Sequence, residues 1–305
     1  MDAVAALAVV IALAVDRLWG EPPARAHPVV YMGKALGAVG PALLKWRPVA
    51  AFLGGALAWL LGAAGVAAIA WALELGLRAL PWWAAGPLLG LLLKPLLAWR
   101  MLRDEVRAVE AALAQSLEAG RAQLSRLVSR DTSQLQPHEV REAAIETLAE
   151  NLNDSVVAPL FWFTVAGLPG AALYRWANTA DAMWGYRGRW EWVGKFAARA
   201  DDALSWLPAR LTALLLCLAA RRWPAGLARE ARVTPSPNGG WPMGAMALLL
   251  GVRLSKPGVY ALHASGAVPR ADHTRAALAW SGQAVAAGAA LLAAAGLWLG
   301  SRAWG

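Results

Sequence analysis

Residues 141–162 read REAAIETLAENLNDSVVAPLFW. Glu142, Glu146, Glu150 and Asp154 recur at every fourth position. A helix running through Asn151 aligns the first three as a stripe of carboxylates down one face. Like charges at that spacing repel by about 0.2–0.5 kcal/mol per pair on an exposed helix, and the penalty grows beside lipid. Immediately afterwards, residues 156–162 are apolar enough to enter a bilayer. Acidic groups stacked against a membrane segment suit a cation, a metal–phosphate complex or a basic partner. The plainer reading is a solvated helix face with Arg141 as its local counter-charge, and this stretch alone leaves both open.

The composition around it decides the class. Of 305 residues 58% are hydrophobic and 16% charged, with mean hydropathy +0.43. Soluble domains average about 25% charged residues, so the chain reads as an integral membrane protein. The net charge of +9 raises the possibility of nucleic acid. The basic residues, however, lie in loops between apolar runs, with no aromatic-interleaved patch. Anchoring to anionic headgroups, or holding an anionic substrate, explains them better, and no nucleic-acid partner is expected. The single cysteine, Cys217, sits inside an apolar run, which excludes an internal disulfide and a CxxC metal site and reads as a small buried hydrophobe.

Read in order, residues 3–15 are apolar but span only about 20 Å as a helix. Extending them to 19 makes a short span or an inserted anchor. Ala12-Leu13-Ala14 faintly resembles a cleavage site, but no basic region precedes it, so cleavage is not expected. The basic flank (Arg17, Arg25, Lys34) places the following loop in the cytoplasm. That loop, dense in Gly and Pro, displays Asp16, Glu21 and His27 on a stiff scaffold, and His27 before Pro28 must be extended. Residues 49–73 form a clear span, with Gly54, Gly55, Gly62 and Gly65 allowing close helix approach. Residues 82–99 return through the bilayer, interrupted at Lys94-Pro95. Lys94 there either snorkels to the headgroups or faces a polar cavity.

Residues 101–127 alternate charge with apolar residues at helical spacing and read as a cytoplasmic amphipathic helix, or a helical hairpin broken near Gly120. Pro137 starts the carboxylate helix. Residues 156–173 read either as a clean span, which would place the polar loop 174–203 outside, or as a re-entrant segment broken at 167–170, which keeps that loop on the side of the carboxylates; the second is the expectation. Residues 204–220 carry Pro208 and Arg210, the latter costly in lipid. Residues 241–251 are apolar but too short to span, and the NGG at 238–240 can present free backbone N–H groups. Residues 276–299 form the last span. The fold class is therefore all-α: a single polytopic membrane domain over residues 1–305, with several short or broken segments.

The polar residues beyond the glutamates include Asn151, Asn153, Asn178, Thr179, Asp181, Arg187, Arg199, Asp201, Asp202, Arg210 and Asn238. Carboxylates with amides and few histidines favour a hard cation such as Mg²⁺ over zinc. Arginines beside them favour phosphate recognition. No Walker A, GxSxG or HExxH frame occurs, so nucleophilic Ser or Cys catalysis is unsupported. Each Asp or Arg taken singly is also consistent with a salt bridge.

Five stretches in this order carry a resemblance: DRLWGEPPARAHPVVYMG at 16–33, AAIETLAENLNDSVVAPLFW at 143–162, YRWANTADAMWGYR at 174–187, AARADDALSWLPARLTALL at 197–215 and SPNGGWPMGAMALLLGVRL at 236–254. Together they resemble the CobD/CbiB family of cobalamin biosynthesis, adenosylcobinamide-phosphate synthase. The resemblance implies a multi-pass enzyme of the inner (cytoplasmic) membrane with its active site on the cytoplasmic side. Its reaction would join (R)-1-aminopropan-2-ol O-phosphate, or a related amino-alcohol phosphate, to a propionate of adenosylcobyric acid as an amide, using ATP and Mg²⁺. Residue chemistry and resemblance together assign Glu146, Glu150 and Asp154 to the metal, with Asn151 beside them. Asn178, Arg187, Arg199, Arg210 and Asn238 are assigned to phosphate and substrate binding, and Asp181, Asp201, Asp202 and His27 to catalysis. The expected partners are the corrinoid, the amino-alcohol phosphate and the lipid bilayer, with a homo-oligomer or a complex with other cobalamin-assembly membrane proteins also in view.

Two departures stand out. Family members often carry an acidic residue where this chain has Met243, which puts a catalytic role there in doubt. The segment KPGVYALHASGAVPRADH at 256–273 matches poorly and reads as a lineage-specific loop. An AmpE-like membrane sensor and a transporter of an anionic substrate are the other function classes; the transporter lacks an inverted repeat.

Overall fold

The computed structural model describes residues 2–303. The chain is helical almost throughout: α1 (Asp2–Trp19), α2 (Pro28–Leu43), α3 (Pro48–Leu77), α4 (Trp82–Leu93), α5 (Trp99–Leu113), α6 (Leu117–Leu124), α7 (Pro137–Leu152), α8 (Ala158–Trp184), α9 (Glu191–Ala220), α10 (Leu227–Glu230), α11 (Gly240–Leu250) and α12 (Ala271–Ala303). One hairpin, β1 (Leu254–Lys256) and β2 (Tyr260–Leu262), interrupts them. Among the described residues five stretches are long and apolar enough to cross a membrane: Pro48–Leu77, Trp82–Leu113, Pro137–Trp184, Glu191–Ala220 and Ala271–Ala295. The protein is thus an all-α polytopic membrane protein. α1, which carries Asp2, Asp16 and Arg17, is not one of the five.

The chain splits into two compact units. The first comprises Met1–Ala98, Ala158–Ser205 and Ala289–Gly305, the second Trp99–Val157 and Trp206–Gly288.

In the first unit α4 lies against α1 through a GxxxG pair. A Cβ on Gly86 would stand 2.7 Å from Leu7 Cδ2, and one on Gly90 2.7 Å from the Ala8 carbonyl oxygen. α3 meets α8 in the same manner: Gly62 lies under the Trp176 indole, whose Nε1 donates to the Trp59 carbonyl at 3.0 Å. Of the four glycines expected to bring helices close, Gly54, Gly55 and Gly62 do so, whereas Gly65 faces open space. Leu36 and Leu43 of α2, Trp59 of α3, Trp176 and Trp184 of α8 and Val193 of α9 belong to one buried cluster.

α8 does break where the glycines and Pro169 signalled it. Ala166 and Gly167 leave helical geometry, Gly167 at φ +65°. The buried Glu74 of α3 accepts the Leu168 N–H at 2.7 Å. A buried orphan donor at a broken helix is costly, and this carboxylate removes that cost. Beyond the break the chain stays helical to Trp184, so the expected loop 174–203 is two helical segments joined by a short turn. Likewise 204–220 is not a separate broken segment but the second half of the 30-residue α9. Pro208 has no N–H for the Leu204 carbonyl, and the Trp162 indole Nε1 donates to that oxygen instead at 3.0 Å.

In the second unit α5 is amphipathic, burying Trp99, Leu102, Val106 and Val109. The break after it falls at residues 114–116, not near Gly120. Ser116 caps α6 by accepting the Ala119 N–H at 3.1 Å, while Gly120 sits inside α6 over Leu113. α7 begins at Pro137, preceded by a capping box of Gln136 with Glu139. Its last residues pass into a single π-helical turn, Asn153–Val157. α11 is buried on nearly all sides and ends at Gly251 in the left-handed region, φ +69°. Cys217 is a buried free thiol.

Candidate functional site

The stripe on α7 is not a solvated face. Glu142 is fully buried and Glu146 is 6% exposed, while Glu150 is half-buried. Arg141 does not serve them: its Nε and Nη2 fork onto Glu110 of α5 at 2.7–3.0 Å, where Thr274 Oγ1 also donates at 3.0 Å. The counter-charges come from distant sequence. Arg253 Nη2 reaches Glu142 Oε1 at 3.0 Å, and the Ser255 hydroxyl donates to Oε2. Arg130 Nη2 reaches Glu146 Oε2 at 3.3 Å, and the Tyr260 hydroxyl donates to Oε1 at 2.6 Å. Lys256 lies within electrostatic reach of Glu146. Burial, and then the Glu146 and Glu150 carboxylates, push the Tyr260 phenol above its ordinary value, so it remains a donor.

The hairpin therefore decides how this face is dressed. Its register pairs Ser255 with Ala261 and Lys256 with Tyr260. It contributes Ser255, Lys256 and Tyr260, the last two from the 256–273 segment read as a lineage-specific loop. The signal was present in the sequence, since short apolar–polar runs flank a Pro257-Gly258 turn. Met243, standing where an acidic residue was expected, is buried, with its sulfur 3.8 Å from the Tyr260 hydroxyl.

Beyond Glu150 the stripe loses its register. Asp154 lies in the π turn and accepts from Asn153 Nδ2 at 2.7 Å; π-turns of this kind concentrate at functional sites. Asn151 donates to the Thr147 carbonyl at 3.1 Å. Arg210 lies over the Trp206 and Trp241 rings and donates to Asn238 Oδ1 at 3.1 Å. The NGG turn offers fewer free amides than expected, because Ser236 Oγ accepts the N–H groups of Asn238 and Gly239 at 3.2 and 3.3 Å.

The first unit holds the remaining predicted residues. His27 is extended as expected, at φ −98° and ψ 110°. Its Nε2 lies 3.0 Å from Glu21 Oε2, Glu21 Oε1 accepts from Lys94 Nζ at 2.9 Å, and Lys94 also pairs with Asp16 at 3.4 Å. Lys94 is thus buried among carboxylates and does not snorkel to the headgroups. Asn178 accepts from Arg175 at 3.4 Å, and Arg199 lies within electrostatic reach of Asp202. Asp181, Asp201, Asp202 and Arg199 sit on helices, Arg187 in the exposed turn between α8 and α9. Among the described residues no group of three or more His, Cys, Asp or Glu side chains is close enough to hold a metal unaided.

Burial alone would raise the Glu21 pKa, but hydrogen bonds from His27 and Lys94 and the Lys94 charge outweigh it and hold the carboxyl below its ordinary 4.5. Between the depressed value and 4.5 the unfolded chain binds this proton and the folded chain does not, so stability rises with pH there. Glu21's contribution is complete above that window and is lost as pH falls through the folded pKa. Thermal melts from pH 6 down to about 3 should show a shallower acid loss in Glu21→Gln than in wild type.

The sequence model of the CobD/Cbib protein family matches residues 9–291. A probable cobalamin biosynthesis protein CobD of Thermococcus kodakarensis is 45% identical over 256 residues, 82% of this chain and 82% of the relative. The cobalamin biosynthesis protein CobD of Rhodobacter capsulatus is 41% identical over 261 residues, covering 83% and 82%. That of Stutzerimonas stutzeri is 40% identical over 301 residues, covering 92% and 94%. No solved structure matches the chain.

Proposed function

Because this chain belongs to the CobD/CbiB family of cobalamin biosynthesis proteins, we propose that it is an adenosylcobinamide-phosphate synthase, an amide-forming enzyme. In this reading a propionate oxygen of adenosylcobyric acid attacks the γ-phosphorus of ATP, and ADP leaves. The amine of (R)-1-aminopropan-2-ol O-phosphate, having lost a proton, then attacks the acyl carbon and inorganic phosphate leaves. Positioning and charge neutralisation carry most of such chemistry.

The observation that supports this most is the buried glutamate face of α7, each of whose inner carboxylates is held by a guanidinium and a hydroxyl. Lipid-embedded proteins avoid so many ionisable groups unless they are used. Magnesium takes oxygen ligands and is held by one or two carboxylates together with substrate phosphates. Glu146 and Glu150 suit that donor set, with Asp154 and Asn151 next along the chain. Bound there, the ion would neutralise the phosphate charge. His27, oriented by Glu21, together with Asp181, Asp201 and Asp202, are candidates to take the amine's proton. Asn178, Arg187, Arg199, Arg210 and Asn238 remain the candidates for holding substrate and phosphate. The membrane is the inner (cytoplasmic) one, with the site on the cytoplasmic face.

The test is full-length protein in proteoliposomes with adenosylcobyric acid, the amino-alcohol phosphate and MgATP. Adenosylcobinamide phosphate and ADP should appear in equal amounts by mass spectrometry. Corrinoid uptake without amide formation would make it a transporter instead. The absence of substrate-dependent ADP release and of uptake alike would favour a sensor or assembly role.

A further inference from the structure

Arg130 lies in the segment between α6 and α7, whose backbone is tied down on both sides. Asp131 accepts the Ser133 N–H at 2.8 Å, Thr132 Oγ1 donates to the Arg121 carbonyl at 3.1 Å, and Arg121 Nε donates to the Leu135 carbonyl at 2.7 Å. In sequence Arg130 is one of several arginines flanking an amphipathic helix. In space its side chain is only 17% exposed and turns onto the glutamate face. One corner of the guanidinium, Nη2, is spent on Glu146. Nε and Nη1 are buried and have no acceptor among the described residues.

Buried charged donors left unmade are more costly than neutral ones, and a guanidinium presents its donors as a rigid planar fork. Glu146 cannot turn to serve them, because Tyr260 holds its other oxygen at 2.6 Å. Lys256, exposed on the hairpin, lies within electrostatic reach of the same carboxylate. An oxyanion with several acceptor oxygens matches this arrangement, and a terminal phosphate group matches it best.

We propose that Arg130, braced by Glu146, is the residue that holds a terminal phosphate group at the α7 face, with Lys256 as a second cationic contact. This rests on the amide-synthase reading for the identity of the ligand, and narrows it: among the arginines the phosphate contact belongs to Arg130, whereas Arg210 is committed to Asn238 and two tryptophan rings. Two soluble phosphates meet the description, that of the amino-alcohol phosphate and the terminal one of ATP. An anionic lipid headgroup, whose phosphate is a diester and not terminal, is the competing occupant that the experiment must exclude.

Calorimetric titration of full-length protein in phosphatidylcholine nanodiscs separates these sources. The probes are (R)-1-aminopropan-2-ol O-phosphate, the same amino alcohol without phosphate, ATP and inorganic phosphate. Arg130→Gln should weaken at least one phosphorylated ligand by about tenfold or more and leave the dephosphorylated amine unchanged. Which phosphorylated ligand suffers identifies the source. Arg130→Lys, which keeps the charge but not the fork, should fall between, and it carries the test if the glutamine variant does not fold. Unchanged affinities in both variants overturn the proposal. So does a loss confined to binding of phosphatidylserine nanodiscs. Because binding is read without turnover, phosphate binding that depends on Arg130 in a protein making no amide would keep this proposal and remove the enzymatic reading. Amide formation by Arg130→Gln at wild-type KM for both phosphorylated substrates would do the reverse.

Discussion

Glu146→Gln in the full-length protein should lower kcat by about 100-fold or more, the size seen when one preorganised electrostatic group is removed from a site. The substitution keeps shape and volume but replaces an acceptor oxygen with a donor NH₂ group. In the folded protein Glu146 faces two donors, Arg130 Nη2 at 3.3 Å and the Tyr260 hydroxyl at 2.6 Å. The Tyr260 hydroxyl can turn to accept from the amide nitrogen while the amide oxygen keeps Arg130, so what the variant loses is the negative charge that faces the guanidinium. Turnover with varied MgATP is the measurement, alongside a thermal melt to show that the protein is folded. Asp181→Asn is the companion from the first unit. Near wild-type turnover in both variants, with unchanged Mg²⁺ dependence, would remove the assignment of the carboxylates to the reaction.

Lys94→Met should destabilise the protein by about 3–5 kcal/mol, the usual cost of deleting one partner of a buried ion pair. Lys94 is 3% exposed and Asp16 0%, and Glu21 shares the same ammonium at 2.9 Å. Removing the cation takes the positive charge away from both carboxylates, of which Asp16 is fully buried and Glu21 keeps only the His27 ring beside it. Chemical denaturation or thermal melting in a fixed detergent reads the loss. The triple variant Asp16→Asn, Glu21→Gln, Lys94→Met should recover most of it, because a neutral cluster of similar volume avoids the desolvation cost altogether. Failure of the triple variant to recover would mean that Lys94 matters through packing and not through charge.

How far the site was legible depended on the distance between partners in the chain. The carboxylate repeat at 142, 146 and 150 was readable because helical geometry is local and four residues make one turn. The extended His27 was equally local, dictated by Pro28. The partners of the glutamates were not readable, since Arg253 and Tyr260 stand more than a hundred residues downstream of the groups they hold. Nothing in the sequence distinguishes Arg130, pointed at Glu146, from Arg141, pointed at Glu110. The neighbouring pair Arg141–Glu142 was the obvious choice by spacing, but adjacent residues on a helix do not face one another.

By itself the sequence determined that this protein is a helical, membrane-crossing chain, that it breaks near Gly167, and that its order of motifs is that of the CobD/CbiB family. Hydropathy, helical period and glycine or proline placement are properties of contiguous residues, and a bilayer permits few alternatives to helices. Only the tertiary structure decided that the glutamates are buried, which cations and hydroxyls answer them, and that the polar stretch 174–203 is helix with a short turn. Those outcomes depend on which distant surfaces pack together, and the cost of an unpaired buried charge is settled by that packing and by no local pattern.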